Sequence, residues 1–169
     1  KDTTEIGNEL KKRLKGEVKF DQITRALYAT DASIFQMDPI GVVFPKDVED
    51  VVNTVTFAAS VGIPVLPRGG GTGLAGQTVN HAVVMDFSKH MNQLSEMNSE
   101  EGWAWVEPGI VLDQLSALGA PHGLKFAPDP STTNRGNIGG AIGNNSCGAR
   151  SIVYGKTLDH VLELEVVLA

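Results

Sequence analysis

The stretch GVVFPKDVEDVVNTVTFAASVGIPVL, residues 41–66, carries an apolar run, a helical pattern and a second apolar run. Gly41–Phe44 is predicted to be a buried strand that ends at Pro45. Asp47 is the predicted N-cap of a helix, because the valines and alanines after it keep helical spacing until Gly62. Ile63–Leu66 is the second predicted strand. Strand, helix and strand within about 26 residues predict a parallel βαβ unit.

PRGGGTGLAGQ, residues 67–77, follows this unit directly and is called the first glycine loop. Ligands usually bind beyond the carboxyl ends of the strands of such units, so the loop is a candidate site. Gly71–Gly76 fits the dinucleotide fingerprint G-x-G-x-x-G, but Leu74–Asn80 has no helical pattern, which disfavours a Rossmann site. A phosphate loop ending in the Gly-Lys-Thr of residues 155–157 is excluded, because Arg150 stands where its first glycine is required.

The favoured interpretation of this loop is a nest, in which consecutive backbone N–H groups surround an anion. Glycine allows φ above zero and lets a ligand approach the main chain. No lysine or arginine occurs between Gly69 and Asn80, so the donors would be backbone N–H groups, helped by the hydroxyls of Thr72 and Thr78. The alternative is a mobile surface loop.

Ile138–Gly148 is called the second glycine segment and contains Asn144, Asn145 and Ser146. Ten of the 19 glycines lie in Gly69–Gly76 or Gly136–Gly148. Two such segments could hold the two ends of one long ligand, and a dinucleotide has that shape.

The rest of the chain predicts a mixed structure. A connecting segment with a short helix is expected over Phe20–Ile40. The other predicted helices are Glu5–Lys15, within a helical pattern that runs from Lys1 to Lys19, and Val111–Leu118, and the other predicted strands are Ala82–Asp86, Trp103–Val106, Lys125–Ala127 and Val161–Ala169. Because the last strand would have no partner, we expect the chain to be a piece of a longer protein.

Composition excludes several classes of function. The net charge is −6 and the basic residues are scattered, which disfavours nucleic-acid binding. The apolar runs are far shorter than the roughly 20 residues that span a bilayer. One cysteine, Cys147, leaves no internal disulfide or multi-cysteine metal site and favours a cytoplasmic protein, and the four histidines show no metal-ligand spacing.

Six motifs in order resemble the FAD-linked oxidases of the vanillyl-alcohol oxidase and p-cresol methylhydroxylase (PCMH) type. They are PRGGGTGLAGQ, WVEPG, FAPDPST, NIGGAIGNNSCGA, YGKTLDHV and LELEVVLA, and the resemblance covers residues 28–169. It is greatest to the group of the glycolate oxidase flavin subunit, D-lactate dehydrogenase and D-2-hydroxyglutarate dehydrogenase.

The resemblance implies an α+β fold, a PCMH-type FAD-binding domain of two α+β subdomains. These are the N-terminal βαβ unit with a small parallel sheet and part of a second, mainly antiparallel sheet. Residues 1–37 would be a helical and connecting segment, and residues 38–169 a truncated FAD-binding domain.

FAD would be bound without a covalent link, since Thr72 stands where some relatives carry a tethering histidine. The pyrophosphate would lie on Arg68–Thr72, and the other segments would contact the ribityl, isoalloxazine and adenosine parts. The implied cofactor-binding residues are Pro67, Arg68, Gly69, Gly70, Gly71, Thr72, Gly73, Gln77, Pro108, Gly109, Pro128, Asp129, Pro130, Ser131, Thr132, Ile138, Gly139, Gly140, Asn144, Asn145, Ser146, Gly148, Ala149, Tyr154, Gly155 and Val161.

The implied function is oxidation of a small 2-hydroxy acid, with hydride transfer to FAD and electrons passed to an acceptor, for which an iron–sulfur module or subunit is a candidate. The catalytic residues are expected in a substrate domain absent from this sequence, so this chain by itself is expected to be inactive. Membrane contact is expected only through partners. The alternatives are an NADPH flavoenzyme like UDP-N-acetylmuramate dehydrogenase and a non-catalytic nucleotide-binding domain.

Several single residues have two interpretations. Arg68 either neutralises a phosphate or pairs with a carboxylate. Cys147 is interpreted as a packing residue, and the histidines as surface or capping residues, with contact to FAD as the alternative for His160. Trp103 and Trp105 are interpreted as strand packing, and Tyr154 is open.

Overall fold

A computed structural model describes residues 2–168 of the chain. The helices are α1 (Thr3–Arg13), α2 (Gln22–Tyr28), α3 (Val48–Val61), α4 (Leu112–Gly119), α5 (Ile138–Gly143) and α6 (Ser151–Tyr154), with 3-10 turns at Ala120–His122 and Thr157–His160. The strands are β1 (Glu17–Lys19), β2 (Gly41–Phe44), β3 (Val65–Arg68), β4 (Val83–Asp86), β5 (Leu94–Asn98) and β6 (Trp103–Val106). No helix in residues 2–168 is long and apolar enough to cross a membrane.

Four strands form the first sheet in the order β1-β2-β4-β3. β2 and β3 both run parallel to β4, which lies between them, and β1 pairs antiparallel with β2. The predicted βαβ unit is therefore present, with a later strand inserted between its two strands. β3 begins two residues after the predicted start, at Val65, and it is an edge strand, where Pro67 is tolerated although it has no N–H.

Both faces of this sheet are covered, as is usual for parallel strands. On one face, Val43, Val83 and Met85 pack with Ile6 and Leu10 of α1 and with Phe57 of α3. On the other face, Val42, Phe44 and Val84 pack with Tyr28 at the end of α2 and with Leu66. The N-terminal segment thus belongs to the same core as the βαβ unit. The domain boundary between residues 37 and 38 stays a prediction.

The second structural unit consists of the antiparallel hairpin β5–β6 with α4 and α5. Its core contains Ile110, Leu112, Ile138 and Ala141, with Leu94 and Val106 of the hairpin packed against them. Strand β5 and helix α5 were not predicted from the sequence.

Three predictions of secondary structure were wrong. Residues 161–168 form no strand: they are extended and, after Val161, exposed, because nothing in the described chain pairs with them; Ala169 lies outside the described residues. Lys125–Ala127 forms no strand. The helical pattern proposed for residues 1–19 ends at Arg13, and Glu17–Lys19 is a strand because it pairs with β2; Lys1 lies outside the described residues.

Candidate functional site

The first glycine loop leaves the carboxyl end of β3 at Arg68 and folds back to Thr78. Residues 69–77 contain no helix and no strand, which agrees with the rejection of a Rossmann site. Gly71 and Gly76 have φ angles of 62° and 78°, in the left-handed region that favours glycine. The carbonyl of Gly71 accepts a hydrogen bond from the N–H of Ala32 at 3.0 Å, which attaches the loop to the chain before β2.

Six consecutive N–H groups of this loop, from Gly69 to Leu74, donate no hydrogen bond to any atom of residues 2–168. The first N–H after them, that of Ala75, donates to Oε1 of Gln77 at 3.1 Å. A run of unused backbone donors next to glycines is the arrangement that binds anions in nests.

Arg68 is bonded to the protein backbone rather than to a carboxylate. Its Nη1 donates to the carbonyls of Tyr28 at 3.3 Å and Thr78 at 3.0 Å, and its Nη2 donates to the carbonyl of Thr30 at 2.9 Å. The guanidinium carbon lies 5.0 Å from the centre of the Tyr28 ring. Among the described residues, no carboxylate forms an ion pair with Arg68.

Tyr28 connects this arginine to the buried carboxylate of Asp86, at the end of β4. The Tyr28 hydroxyl donates to Oδ2 of Asp86 at 2.5 Å, and Ser88 donates to Oδ1 through its N–H and its hydroxyl, both at 2.7 Å. Burial and the Asp86 carboxylate raise the pKa of Tyr28, so the phenol stays protonated and remains a donor.

The second glycine segment, unlike the first glycine loop, begins with a helix that was not predicted from the sequence. Residues Ile138–Gly143 form α5, and Asn137 is its N-cap residue. Most of its N–H groups are used inside the protein; for example, Gly139 donates to the carbonyl of Pro108 at 2.9 Å and Ser146 to that of Ala141 at 2.9 Å. The segment became a helix because Ile138 and Ala141 are buried in the second core. The two glycine-rich segments therefore differ: the first has unused donors and the second is largely satisfied.

The structure brings these two segments into contact. A Cβ at Gly70 would overlap the carbonyl oxygen of Arg135, and a Cβ at Gly69 would lie 2.9 Å from Oδ1 of Asn137. Nε2 of Gln77 donates to Oδ1 of Asn144 at 2.9 Å, at the carboxyl end of α5. The predicted site residues Gln77 and Asn144 are thus in direct contact, and Gly69 and Gly70 lie against residues just before the second glycine segment.

Asn137 is a site residue that the sequence analysis missed. It is 3% exposed, and its Nδ2 donates to the carbonyl of Gly109 at 2.5 Å. That bond sets the orientation of the amide and turns Oδ1 toward Gly69 and Gly70, where this oxygen has no hydrogen-bond partner in the described chain. Buried acceptors are nearly always paired, so an unpaired one at this contact indicates a place for a donor. The signal in the sequence was an asparagine directly before the Ile-Gly-Gly motif.

Asp129 and Asn145 are the described residues other than glycine with positive φ, at 53° and 44°. Aspartate and asparagine tolerate this conformation best, and such residues cluster at functional sites. Asp129 forms an ion pair with Arg150 at 2.9 Å, and its carbonyl lies where a Cβ on Gly148 would overlap it. Oδ1 of Asn145 accepts from the N–H of Leu158 at 3.0 Å.

The other predicted residues lie around these contacts. Pro128, Pro130 and Gly109 are buried, Pro108 is half-buried next to Gly139, and Ser131 is exposed. Tyr154 is 52% exposed, and its carbonyl lies 2.8 Å from Nε2 of His160, which gives this histidine a protein partner. Gly155 and Val161 flank the Thr157–His160 turn. Cys147 is exposed, which contradicts its interpretation as a packing residue.

The residues present fit a dinucleotide with an anionic centre. The unused N–H groups suit a pyrophosphate, and the unpaired Oδ1 of Asn137 suits a hydroxyl or N–H donor. Arg68, whose donors are bonded to carbonyls, is not needed to explain this fit.

Comparison with known proteins gives the same assignment. Residues 39–169 match the family described as FAD binding domain. A D-2-hydroxyglutarate dehydrogenase of Pseudomonas putida is 46% identical over 157 residues, which are 91% of this chain and 16% of that protein. The glycolate oxidase subunit GlcD of Bacillus subtilis is 38% identical over 163 residues, 93% of this chain and 34% of that subunit.

The fold has solved counterparts as well. A structure of alkyldihydroxyacetonephosphate synthase matches with a TM-score of 0.81 at 23% identity, over 90% of this chain and 31% of that one. The chain spans only about a sixth to a third of the length of these relatives. The predicted fold class and resemblance are confirmed, and the chain belongs to the family of FAD binding domains, of the vanillyl-alcohol oxidase and PCMH type, with FAD as its cofactor.

Proposed function

We propose that this chain is the FAD-binding portion of a dehydrogenase or oxidase that oxidises a small 2-hydroxy acid by hydride transfer to FAD. The names of the similar proteins support this substrate class, because D-2-hydroxyglutarate and glycolate are both 2-hydroxy acids. D-Lactate belongs to the same class. When bound, FAD supplies the hydride acceptor, and the residues of this chain bind and orient it.

The observation that carries the proposal is the run of unused N–H groups from Gly69 to Leu74. With a net charge of −6, the protein as a whole repels an anion, so the pyrophosphate must be held by local donors. We assign it to Gly69–Gly73, with the hydroxyl of Thr72 as a supplement. Residues 67–77 contain no histidine that could tether a flavin, so we assign non-covalent binding of FAD at this loop.

The remaining contacts follow from the position of each segment. We assign the ribityl and isoalloxazine side to Pro128–Thr132 and to α5 with Asn144–Ala149, and the adenosine side to Pro108, Gly109 and Val161. Gln77 joins the first glycine loop to the ribityl and isoalloxazine side through its bond to Asn144. Tyr154 and Gly155 complete the proposed set.

Other parts of the reaction are assigned to residues outside this chain. The groups that hold the substrate carboxylate and accept its hydroxyl proton belong to the remaining length of a protein like the curated relatives. An electron acceptor, for which we propose an iron–sulfur module or subunit, completes the turnover. We place the protein in the cytoplasm, with any membrane contact made through partners.

The test uses the intact protein under anaerobic conditions. It is expected to contain FAD, seen as absorbance at about 450 nm. Addition of D-2-hydroxyglutarate, glycolate or D-lactate is expected to bleach this absorbance, and NADPH is not. Bleaching by NADPH and by none of the acids would instead favour an enzyme like UDP-N-acetylmuramate dehydrogenase. Protein that neither contains nor takes up FAD would contradict the proposal.

A further inference from the structure

The guanidinium of Arg68 lies at the base of the first glycine loop and holds both of its ends. The loop starts at Arg68 itself, and Nη1 of this arginine donates to the carbonyl of Thr78, where the loop returns, at 3.0 Å. Nη1 also donates to the carbonyl of Tyr28, and Nη2 to that of Thr30, so the segment before β2 is joined to the same group. The Arg68 side chain thus bonds to the chain where the loop ends, at Thr78, and to a separate segment, Tyr28–Thr30.

The conformation of the loop depends on contact with this side chain. Gly71, whose φ is 62°, lies against the guanidinium, and a Cβ there would be 2.7 Å from Nη2 of Arg68. Two further hydrogen bonds attach the loop to the segment before β2. The N–H of Ala32 donates to the carbonyl of Gly71, and the hydroxyl of Thr78 donates to Oδ2 of Asp31 at 2.7 Å.

Only an arginine can make this set of contacts. Its planar group offers five donors in a fixed geometry and stacks on aromatic rings, whereas lysine has a single ammonium on a flexible stem. The Tyr28 ring lies 5.0 Å from the guanidinium carbon, and the hydroxyl of Tyr28 is in turn bonded to the buried Asp86. Asp86 is the register partner of Arg68 on the neighbouring strand, so the group is anchored to the sheet.

We infer that Arg68 is a positioning residue: it holds the first glycine loop in the shape in which the N–H groups of Gly69–Leu74 are free for one ligand. Its guanidinium acts through the loop backbone and not by contact with a phosphate. The identity of the ligand rests on the proposed function, but the effect of Arg68 on the loop does not.

The test measures backbone hydrogen exchange of the flavin-free intact protein at two amides that have a hydrogen bond to lose: the N–H of Ala32, bonded to the carbonyl of Gly71, and the N–H of Ala75, bonded to Oε1 of Gln77. Exchange at these two amides is called loop exchange. Arg68→Gln and Arg68→Lys are both expected to speed loop exchange by about tenfold or more, because bonds from a charged donor to three carbonyls are lost or reduced. Exchange of α3 is expected to stay unchanged, which shows that the variants are folded. Arg25→Lys is the control, since Arg25 also donates to a backbone carbonyl, that of Pro39, at 2.8 Å.

FAD titration of the same proteins separates the two roles. A positioning residue predicts that Arg68→Lys weakens FAD binding nearly as much as Arg68→Gln does, by about tenfold. Unchanged loop exchange in Arg68→Gln, or wild-type FAD affinity in Arg68→Lys, would overturn the inference. Faster loop exchange in a protein that never binds FAD would refute the proposed function and leave the role of Arg68 supported.

Discussion

The glycines of the first loop serve two different purposes at the residue scale. Gly71 and Gly76 have positive φ angles, so there the backbone conformation requires glycine. Gly69 and Gly70 have no such requirement and are needed because Arg135 and Asn137 approach them closely. The nest hypothesis explained these glycines by positive φ or by close approach of a ligand, whereas Gly69 and Gly70 are explained by contact between two segments of the protein.

Gly70→Val tests this contact. A side chain at this position overlaps the backbone carbonyl of Arg135, so the two segments must separate and FAD binding is expected to weaken by roughly tenfold to a hundredfold. The measurement is FAD affinity by titration, with the thermal midpoint of the flavin-free protein as a check of folding. Gly102→Ala is the control, since Gly102 lies in the β5–β6 turn, to which no FAD contact is assigned, and a Cβ there meets nothing within 4 Å; its φ of 75° makes the substitution lower stability but not FAD affinity. Normal FAD content in Gly70→Val would count against the site.

At the scale of elements, one buried carboxylate connects the parts of the first unit. Asp50 is fully buried in the first turn of α3, and it accepts from the N–H groups of Lys15 at 2.8 Å, Gly16 at 2.9 Å and Lys46 at 2.9 Å. These donors lie in the turn between α1 and β1 and in the turn before α3. The sequence alone did not single out Asp50, because its burial depends on the packing of α1.

Asp50→Asn is expected to destabilise the protein by about 2–4 kcal/mol. An amide has one acceptor oxygen and one donor nitrogen, so at least one of the three N–H groups would face a donor in a buried place. Urea unfolding at pH 7 measures the loss. Glu49→Gln is the control: Glu49 is exposed and pairs only with Lys15 at the surface, so a change of about 0–1 kcal/mol is expected. Equal effects of the two substitutions would contradict the role given to Asp50.

At the scale of the whole molecule, Gly109 lies where the two structural units meet. Its N–H donates to the carbonyl of Met91 at 2.8 Å, and its carbonyl accepts from Nδ2 of Asn137. A Cβ at Gly109 would overlap the carbonyl of Phe87, directly after β4. Gly109 therefore contacts the chain after β4, the chain before β5 and Asn137 before α5. These three parts can approach it closely because it has no side chain.

Gly109→Ala is expected to lower both stability and FAD affinity. The added methyl group forces the units apart, which costs about 1–3 kcal/mol, and it moves Asn137 away from the first glycine loop. Gly62→Ala is the comparison, because Gly62 caps α3 with φ of 70° in open space. That variant is expected to lose about 1 kcal/mol of stability and to bind FAD normally. FAD affinity equal to wild type in Gly109→Ala would show that the junction does not shape the site.

The sequence by itself determined the elements that are specified by residues close together in the chain, such as helix caps and short apolar runs. The α3 helix was predicted with its bounds, since Asp47 and Gly62 cap it and do not depend on other segments. β2 and β6 followed from short apolar runs, and the first glycine loop was identified as a candidate site from its composition and position. The order of six motifs predicted the family and the cofactor.

Only the tertiary structure decided which groups of the site have partners. Arg68 was expected to meet a phosphate or a carboxylate and instead binds three carbonyls that come together only when the chain has folded. Asn137 became a candidate because its bond to Gly109 leaves Oδ1 unpaired, and α5 formed because Ile138 and Ala141 reach a core. Caps and periodicity act between residues a few positions apart. The hydrogen bonds of Arg68 to Tyr28 and Thr30 and of Asn137 to Gly109 join residues 28 to 40 positions apart, and their geometry is set by the packing of the two units.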